Sequence, residues 1–218
     1  QACDLVEDKV TESYFSKIGI DGKKGFKATY WNTPDYSGPV IAETYITNPL
    51  KITTAGQHEF ASGVNLEGFS ASYVTEYTAD KDEELAFKFG ATGHFELFVN
   101  GKSLRQTNNW RTLPSTLPFP VEKGKIYNIE IKYAQLNNWE ANLEFNFGKE
   151  IPVDFTGLIA KLEGIETVIF VGGLSTLLEG EEMPVNYPGF KGGDRTDIEL
   201  PVVQRNCLKA LKDAGKTV

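Results

Sequence analysis

The chain has 218 residues, which is enough for one large or two small domains and for a core without disulfide staples. Its formal net charge of −8 argues against a nucleic-acid-binding protein and against docking to an anionic membrane. No apolar run reaches the roughly 20 residues of a membrane-spanning helix, so we expect no membrane insertion. Cys3 and Cys207 could form one bridge, and with His58 and His94 they give no zinc-binding spacing.

Residues 1–20 lack the alternation that follows them, so we assign them to the same α/β domain as the C-terminal part of the chain. The chain opens at Gln1 without Met or a signal-like segment, and it ends at Val218 just after a predicted helix. We therefore expect that both ends are cuts in a longer protein.

Between about Gly25 and Gly148, apolar residues recur at every second position, which is typical of strands that bury one face. The clearest strand covers residues 127–133, and its expected partner covers residues 143–147. Asn100-Gly101 predicts a two-residue hairpin turn, since both residues tolerate positive φ. The other alternating segments are residues 69–77, 85–89 and 95–99. The fold class predicted for residues 21–150 is a mainly β antiparallel β-sandwich or jelly roll.

From residue 152 onward the period changes to that of α/β structure. Asp154 predicts the start of a helix that stops at Gly164. Residues 167–171 are apolar throughout, which predicts a buried parallel strand. A long loop leads to a second helix that starts at Pro201, and another strand begins at Thr217. Residues 151–218 are therefore predicted to be an α/β piece, with the sandwich inserted into the same domain.

The loop after the apolar segment is the first place where chemistry could occur. It carries Glu179, Glu181 and Glu182, and Asp194 and Arg195 follow about a dozen residues later. Sites in open α/β sheets lie beyond the carboxyl ends of the strands, and a carboxyl among other carboxylates can stay protonated and act as a general acid. The alternative is a solvated acidic loop without a catalytic role.

The second candidate is a triplet that occurs twice in predicted loops of the sandwich. It reads Asn108-Asn109-Trp110 and Asn137-Asn138-Trp139. An indole stacks on the apolar face of a sugar ring, and Asn amides offer donors and acceptors to hydroxyl groups. Trp110, Asn109, Trp139 and Asn138 are therefore candidate substrate-binding residues, the alternative being that both indoles only pack.

Two further residues are assigned structural roles from their position in the pattern. Trp31 follows Tyr30 in the first alternating strand, so we expect it in the core. His94 precedes a strand and has no second metal ligand nearby, so we expect a structural or solvent-facing role.

Five motifs follow the apolar segment in a fixed order: Gly173-Leu174-Ser175, Glu179-Gly180-Glu181, Gly193-Asp194-Arg195, Ile198-Glu199-Leu200-Pro201 and Ala214-Gly215-Lys216. On these motifs, residues 167–218 resemble the α/β-sandwich domain of family 3 glycoside hydrolases, which are retaining β-glucosidases, β-xylosidases and their relatives. One departure is the longer linker over residues 183–191.

That resemblance implies that Glu181 is the catalytic acid/base of the parent enzyme, with Glu179 and Glu182 as close rivals. Asp194 and Arg195 would order the acidic loop. The family's nucleophilic Asp belongs to a barrel domain that this chain lacks. A retaining enzyme needs two carboxylates across the scissile bond, so we expect no activity from this chain alone.

The sandwich resembles a second known module, the protective-antigen-type carbohydrate-binding domain. The matching segments are residues 25–32, 34–38, 95–102 and 126–147. This module occurs as an insertion in some family 3 glycosidases. Its calcium-dependent members carry adjacent aspartates where this chain has Ala91-Thr92-Gly93-His94, so we expect no calcium site of that kind, no other metal and no cofactor.

The leading interpretation is therefore a fragment of a retaining exo-β-glycosidase whose sandwich shapes the substrate pocket. The expected partners are oligo- or polysaccharide glycosides and the remaining domains of the parent, with homo-oligomer contacts through the exposed edges of residues 167–171. Periplasmic or secreted localisation in a bacterium follows from the resemblance. The alternatives are a non-catalytic carbohydrate-binding or adhesin-like module, and a sandwich that is only a spacer or an oligomer contact.

Overall fold

The computed structural model describes residues 7–108, 112–136, 140–174, 189–191 and 194–218. The chain divides into two compact units. The sandwich unit is Thr11–Glu150, and the flanking unit combines Gln1–Val10 with Ile151–Val218. Each unit is described by itself below.

The strands and helices follow one another in a simple order, with the strands first and both helices near the C-terminal end. They are β1 (Lys9–Ser13), β2 (Ile18–Ile20), β3 (Lys23–Lys24), β4 (Phe26–Trp31), β5 (Ala42–Ile46), β6 (Leu50–Thr53), β7 (Ser70–Thr78), β8 (Glu83–Ala91), β9 (His94–Val99), β10 (Lys102–Thr107), β11 (Thr112–Val121), β12 (Ile126–Ala134), β13 (Asn142–Pro152), α1 (Thr156–Lys161), β14 (Phe190–Lys191), β15 (Asp194–Arg195) and α2 (Val202–Asp213).

Within the described ranges, the sandwich consists of two mainly antiparallel sheets. One has the order β1-β13-β8-β11, with β6 also paired to β13. The other has the order β10-β9-β12-β7-β2-β3, with β4 between β7 and β5. The predicted fold class, a mainly antiparallel β-sandwich, is confirmed.

Every second side chain of the strands points inward and fills the core between the two sheets, as the period-two pattern predicts. Strand β7 buries every second residue, including Tyr73 and Tyr77. The ring of Phe89 in one sheet stacks on that of Phe95 in the other, with centroids 4.9 Å apart. Tyr77 meets Phe147 edge-on at 5.2 Å. These contacts between opposite sheets make the core largely aromatic.

The predicted pairing of residues 127–133 with residues 143–147 is wrong. Strand β12 pairs with β7 and β9, whereas β13 pairs with β8 and β6 in the opposite sheet. The chain crosses from one sheet to the other between Ala134 and Asn142, which is the sandwich alternative to a tight hairpin. Alternation identifies the buried face of a strand but not its neighbour. The predicted Asn100-Gly101 turn is present, with φ of 51° and 74°.

The N-terminal residues also differ from the prediction, because residues 11–20 belong to the sandwich unit and not to the flanking one. Tyr14, Phe15 and Ile18 are part of the aromatic core. The backbone N–H of Tyr14 donates to the carbonyl of Phe147 at 2.8 Å, which places this segment along the edge of β13. Short strands rich in Lys, Glu and Thr carry little alternation, so their pattern is weak.

In the flanking unit, residues 167–171 do not form the buried strand that their apolar run predicts. Among the described residues this segment makes one isolated parallel bridge, between Thr167 and Thr217. Ile169 and Val171 are 88% and 84% exposed. A strand buried on both faces needs neighbouring strands and covering helices, and the described part of this unit contributes only that bridge.

The two predicted helices of the flanking unit are present. The Thr156 backbone N–H donates to Asp154 Oδ1 at 3.0 Å at the start of α1, although Phe155 is the N-cap residue. Helix α2 starts after Pro201 and buries Val203, Cys207 and Leu211. Cys207 carries a free thiol whose pKa is raised by burial, and Cys3 lies outside the described residues.

Both helices are too short or too polar to cross a lipid bilayer, a statement that covers the described part of the chain.

Candidate functional site

One end of the sandwich gathers the loops that leave both sheets. Ala91 pairs with Thr112 and with Leu143 in one sheet, and Ala134 pairs with His94 and with Ser70 in the other. Trp31, Thr53 and Thr107 end β4, β6 and β10 opposite Ser70, Asn142 and Phe95. The ends of five strands, β4, β6, β8, β10 and β12, therefore lie on the same side. We call this side, where the chain continues beyond those strand ends, the loop end.

The four predicted sugar-binding residues, Asn109, Trp110, Asn138 and Trp139, lie outside the described residues. The last described residue before and the first after each gap are Asn108 and Thr112 for the first triplet, and Leu136 and Glu140 for the second. All four belong to the loop end. The two Asn-Asn-Trp triplets, 29 positions apart in sequence, therefore enter and leave the described structure on one side of the sandwich.

His94 connects the start of the first triplet to the sheet. Its Nδ1 lies 2.5 Å from Asn108 Oδ1, and its Nε2 lies 3.8 Å from Glu96 Oε2. The imidazole thus connects Asn108, which follows β10, with Glu96 on the outer face of β9. This contact agrees with the structural role that the sequence predicts for His94.

Residues 54–69, between β6 and β7, form a loop without helix or strand that nevertheless packs tightly. Phe60 and Phe69 are buried with ring centroids 4.8 Å apart, and Phe60 stacks on Tyr133 at 5.6 Å. Val64 is buried as well. A long loop with its own side-chain packing is frequently functional.

A polar cavity of about 490 Å³ opens at the loop end against this loop. Loop residues form most of its wall, and Glu140 completes it directly after the second triplet. The lining residues are Thr54, Gly56, Gln57, Asn65, Leu66, Glu67 and Glu140. We call this space the loop-end cavity.

Trp31 does not lie in the core, contrary to the sequence prediction. Successive residues of a strand point to opposite faces, and the inward position in β4 belongs to Tyr30, which is fully buried. Trp31 is half-buried on the outer face and meets Tyr36 edge-on at 6.0 Å. Burial raises the pKa of Tyr36, with Glu96 and Glu130 acting in the same direction, so its hydroxyl stays neutral.

The predicted catalytic residues Glu179 and Glu181, and the rival Glu182, lie outside the described residues of the flanking unit. The described chain stops before them at Leu174. The backbone of the preceding residue, Gly173, is hydrogen-bonded to Gln204 of α2. The Gly173 N–H donates to Gln204 Oε1 at 2.9 Å, and Gln204 Nε2 donates to the Gly173 carbonyl at 2.6 Å. This reciprocal amide pair fixes the point at which the acidic loop begins.

The described chain resumes on the other side of the acidic loop with a short ribbon of β14 and β15. Arg195 Nη2 donates to Asp197 Oδ1 at 2.9 Å and also to the Glu199 carbonyl, and its guanidinium lies 5.0 Å from the Phe190 ring centroid. Arg195 therefore orders the segment that follows it. Asp194 is exposed and pairs with Lys191 through the backbone ladder. A contact of either residue with the glutamates stays a prediction.

Within the described ranges, no three His, Cys, Asp or Glu side chains lie together in a way that could hold a metal ion.

The sequence prediction did not include the residues of the loop-end cavity. Gln57, Asn65 and Glu67 lie in a stretch without periodicity, where pattern analysis predicts only a loop. The available signal was length, because 16 consecutive residues without an element, punctuated by Gly56, Gly63 and Gly68, are unusual in a compact domain.

Comparison with known proteins gives a family and a close relative. Residues 22–161 match the sequence profile of the PA14 domain. A xylan 1,4-beta-xylosidase from Xylanibacter ruminicola is 46% identical over 218 residues, which cover 99% of this chain and 25% of the relative. The chain thus spans about a quarter of the length of the curated relative that it matches.

Two solved structures share the fold at low sequence identity. A beta-glucosidase from Kluyveromyces marxianus superposes with a TM-score of 0.52 at 15% identity, over 93% of this chain and 25% of the other. A GH31 alpha-xylosidase from Xanthomonas citri gives a TM-score of 0.50 at 12% identity, over 72% of this chain and 20% of the other.

Proposed function

Because the chain belongs to the PA14 domain family, we propose that its sandwich is the sugar-contacting part of a longer retaining β-glycosidase of the β-xylosidase and β-glucosidase type. One observation carries this proposal. The 46% identity with the xylan 1,4-beta-xylosidase covers 99% of the chain, including the flanking residues beyond the PA14 match at 22–161. A binding module that acts alone would have no reason to retain those residues.

In this proposal the loops at the loop end shape the pocket for the sugar. Asn109 and Trp110 in the first triplet, and Asn138 and Trp139 in the second, contact the substrate. The indoles stack on pyranose faces, and the amides donate to and accept from hydroxyls. The common side on which both triplets leave the sandwich supports their acting on one ligand.

Glu181 is the proposed general acid/base, and Glu179 is its nearest rival. A retaining mechanism needs a protonated carboxyl that gives its proton to the glycosidic oxygen and then returns as a base for water. Neighbouring carboxylates favour the protonated form of one of them, because like charges resist sharing a site. The nucleophilic carboxylate would come from another part of the longer protein, so this chain alone would not hydrolyse glycosides.

The sugar-contact proposal is tested by kinetics of the full-length protein on β-xylo-oligosaccharides and β-gluco-oligosaccharides of increasing length. Trp110→Ala and Trp139→Ala should raise KM about 2- to 10-fold and change the length preference, while kcat changes less. Tyr45→Ala is the matched control, since Tyr45 pairs with Lys27 at the end of β5 away from the loop end. Unchanged kinetics of both alanine variants on every oligosaccharide would contradict the proposal.

The acid/base proposal is tested by substrates that differ in leaving group. Glu181→Ala should slow unactivated glycosides by about 10²- to 10⁴-fold and activated aryl glycosides far less, with azide restoring turnover of the activated ones. If Glu179→Ala behaves in this way and Glu181→Ala does not, the loop is correct and the residue is wrong. If neither does, the loop is not the acid/base loop.

Two accompanying proposals are independent of the chemistry. We propose a periplasmic or secreted location, which cell fractionation with an antibody against the sandwich would test. Pairing of two copies through residues 167–171 also stays a prediction, and light scattering of the 218-residue chain tests it, since a strictly monomeric chain would contradict it.

A further inference from the structure

The loop-end cavity has walls that are held in place before any ligand arrives. Asn32 Oδ1 accepts from the Asn65 N–H at 2.7 Å, and Asn32 Nδ2 donates to the Gly63 carbonyl at 3.1 Å. The Gln57 N–H donates to the Thr54 carbonyl at 3.1 Å, in a turn where Gln57 has φ of 66°. A site with fixed walls loses little entropy when a ligand binds.

A second set of bonds ties the wall around Thr54 and Glu140 to the sandwich. Thr54 is 93% buried, and its Oγ1 accepts from the Ala141 N–H at 2.9 Å. Thr92 Oγ1 donates to the Glu140 carbonyl at 2.7 Å and accepts from the Asn142 N–H at 2.8 Å. The backbone that carries Glu140 is thus fixed by the residues that directly follow β6 and β8.

The side chains that line the cavity fit the hydroxyl groups of a sugar. A hydroxyl both donates and accepts, and the amides of Gln57 and Asn65 can do the same. The carboxylates of Glu67 and Glu140 accept from hydroxyls, and Leu66 offers an apolar surface to a ring face. The volume of about 490 Å³ lies within the roughly 300–1,000 Å³ of small-ligand pockets.

The charge of the cavity limits which sugars it can accept. Among the described residues, neither Glu67 nor Glu140 forms an ion pair with a basic side chain, and both are exposed at the cavity wall. A carboxylate on the ligand would meet two like charges, and the described residues that line the cavity include no Lys or Arg. An uncharged sugar meets the donors and acceptors of the cavity without repulsion between like charges.

From these observations we propose that the loop-end cavity is a binding subsite for uncharged sugar units of an oligosaccharide, and that Glu67 and Glu140 make it reject units that carry a uronic acid. The proposal rests on the sugar-contact function proposed above and adds a second contact area beside the Asn-Asn-Trp triplets.

The test uses amide-detected NMR of the 218-residue chain titrated with a neutral β-1,4-xylo-oligosaccharide. The side-chain NH₂ signals of Gln57 and Asn65 report on the cavity, and the indole N–H signals of Trp110 and Trp139 report on the triplets. We expect the NH₂ signals of both cavity residues to shift with saturable dependence on ligand. Gln57→Ala and Asn65→Ala should each raise Kd about 2- to 10-fold, the effect of losing one or two neutral hydrogen bonds.

The two proposals fail in distinguishable ways. If the indole signals shift and the NH₂ signals of Gln57 and Asn65 do not, the cavity is not a subsite although the chain binds sugar. If the NH₂ signals shift alone, the cavity binds without the triplets, and the triplet proposal fails. If no signal shifts up to millimolar ligand, both fail.

The charge selection is tested with the same oligosaccharide carrying a glucuronic acid branch. We expect its Kd to exceed that of the neutral ligand by at least about 5-fold at low salt, and less at high salt because of screening. Glu67→Gln combined with Glu140→Gln should bring the two Kd values within about 2-fold. The matched control is Glu76→Gln, an exposed glutamate of β7 away from the loop end. Equal Kd values for both ligands in the unaltered chain would overturn the charge selection.

Discussion

The sandwich unit and the flanking unit contain similar apolar side chains but bury them to different extents. Phe87 and Phe147 are fully buried between the sheets, whereas Ile169 and Val171 in the flanking unit are 88% and 84% exposed. Ile198 is fully exposed as well. The sandwich offers each strand a neighbour and each inward face an opposing sheet. A strongly apolar segment therefore becomes a strand only where such neighbours exist.

The largest expected difference between the units concerns single substitutions of apolar residues. Phe87→Ala removes a ring that meets Phe145 and Phe147, and it should lower the free energy of unfolding by about 3–5 kcal/mol. Ile169→Ser should change it by less than about 0.5 kcal/mol, since the side chain is already in solvent. Denaturant unfolding followed by near-ultraviolet circular dichroism measures both. Equal losses would mean that Ile169 is covered in solution.

Alkaline pH should destabilise the sandwich, because its buried tyrosines resist ionisation in the folded state. Burial raises the pKa of Tyr133 from 10.0 to about 12 and the pKa of Tyr73 well above its usual value. Between pH 10 and about pH 12 the unfolded chain has lost the Tyr133 proton that the native chain keeps. The free energy of unfolding therefore falls as pH rises through this range. Tyr133 alone accounts for about 3 kcal/mol of that loss.

A pH titration followed by tyrosinate absorbance tests this expectation. The absorbance of the buried tyrosines should appear together with unfolding, and in strong urea it should appear near pH 10, the ordinary tyrosine pKa. Full ionisation near pH 10 with the fold intact would contradict the prediction.

The edge of the sandwich should be sensitive to one added methyl group. A Cβ on Gly148 would lie 2.0 Å from the carbonyl oxygen of Glu12, where β1 pairs with β13. Backbone atoms cannot give way cheaply, so Gly148→Ala should cost about 1–3 kcal/mol of unfolding free energy. Gly157→Ala in α1 is the control, because a Cβ there meets nothing within 4 Å. That substitution should be neutral or stabilise α1 by up to about 1 kcal/mol. Thermal unfolding of both variants measures the contrast.

The smallest expected effect lies at the start of α1 in the flanking unit. Hydrogen bonds from the Thr156 side chain and backbone lower the pKa of Asp154, so its stabilising effect is present at neutral pH and is lost as pH falls through the folded-state pKa. Asp154→Ala should therefore speed hydrogen exchange of the α1 amides at neutral pH and have little effect in acid. Asp154→Asn, which keeps the acceptor without the charge, should fall between. Identical exchange in all three proteins would exclude a stabilising effect of Asp154 on α1.

Sequence patterns predicted what depends on single strands and helices. Alternation identified the buried faces of β7, β8, β9 and β12, and spacing identified α2 from Pro201 onward. The same patterns could not choose the partner of β12, because two faces with equal alternation fit either sheet. The prediction for Trp31 fails for a related reason. A large aromatic side chain favours the core, but Tyr30 holds the inward position of β4, so its neighbour Trp31 points outward.

The candidate site likewise has features that the sequence reveals and features that only the structure reveals. The doubled Asn-Asn-Trp triplet is visible in the sequence as a chemical signature, and the acidic loop is visible as a charge cluster. The loop-end cavity is not visible, because its wall depends on bonds between distant residues, such as Asn32 with Asn65 and Thr54 with Ala141. Such contacts have no periodicity and can be found only in three dimensions.

The pairing of β1 with β13 sets the order in which the sandwich can be completed. Thr11 Oγ1 donates to Glu150 Oε1 at 2.6 Å across 139 positions of sequence. Closing so long a loop costs entropy before any contact compensates it, and folds with such distant pairings form slowly. During synthesis β1 leaves the ribosome first and stays without its partner until β13, the last strand of the sandwich, has emerged. The nascent domain is then most exposed to aggregation, so a chaperone that shields an unpaired strand would matter most at this stage.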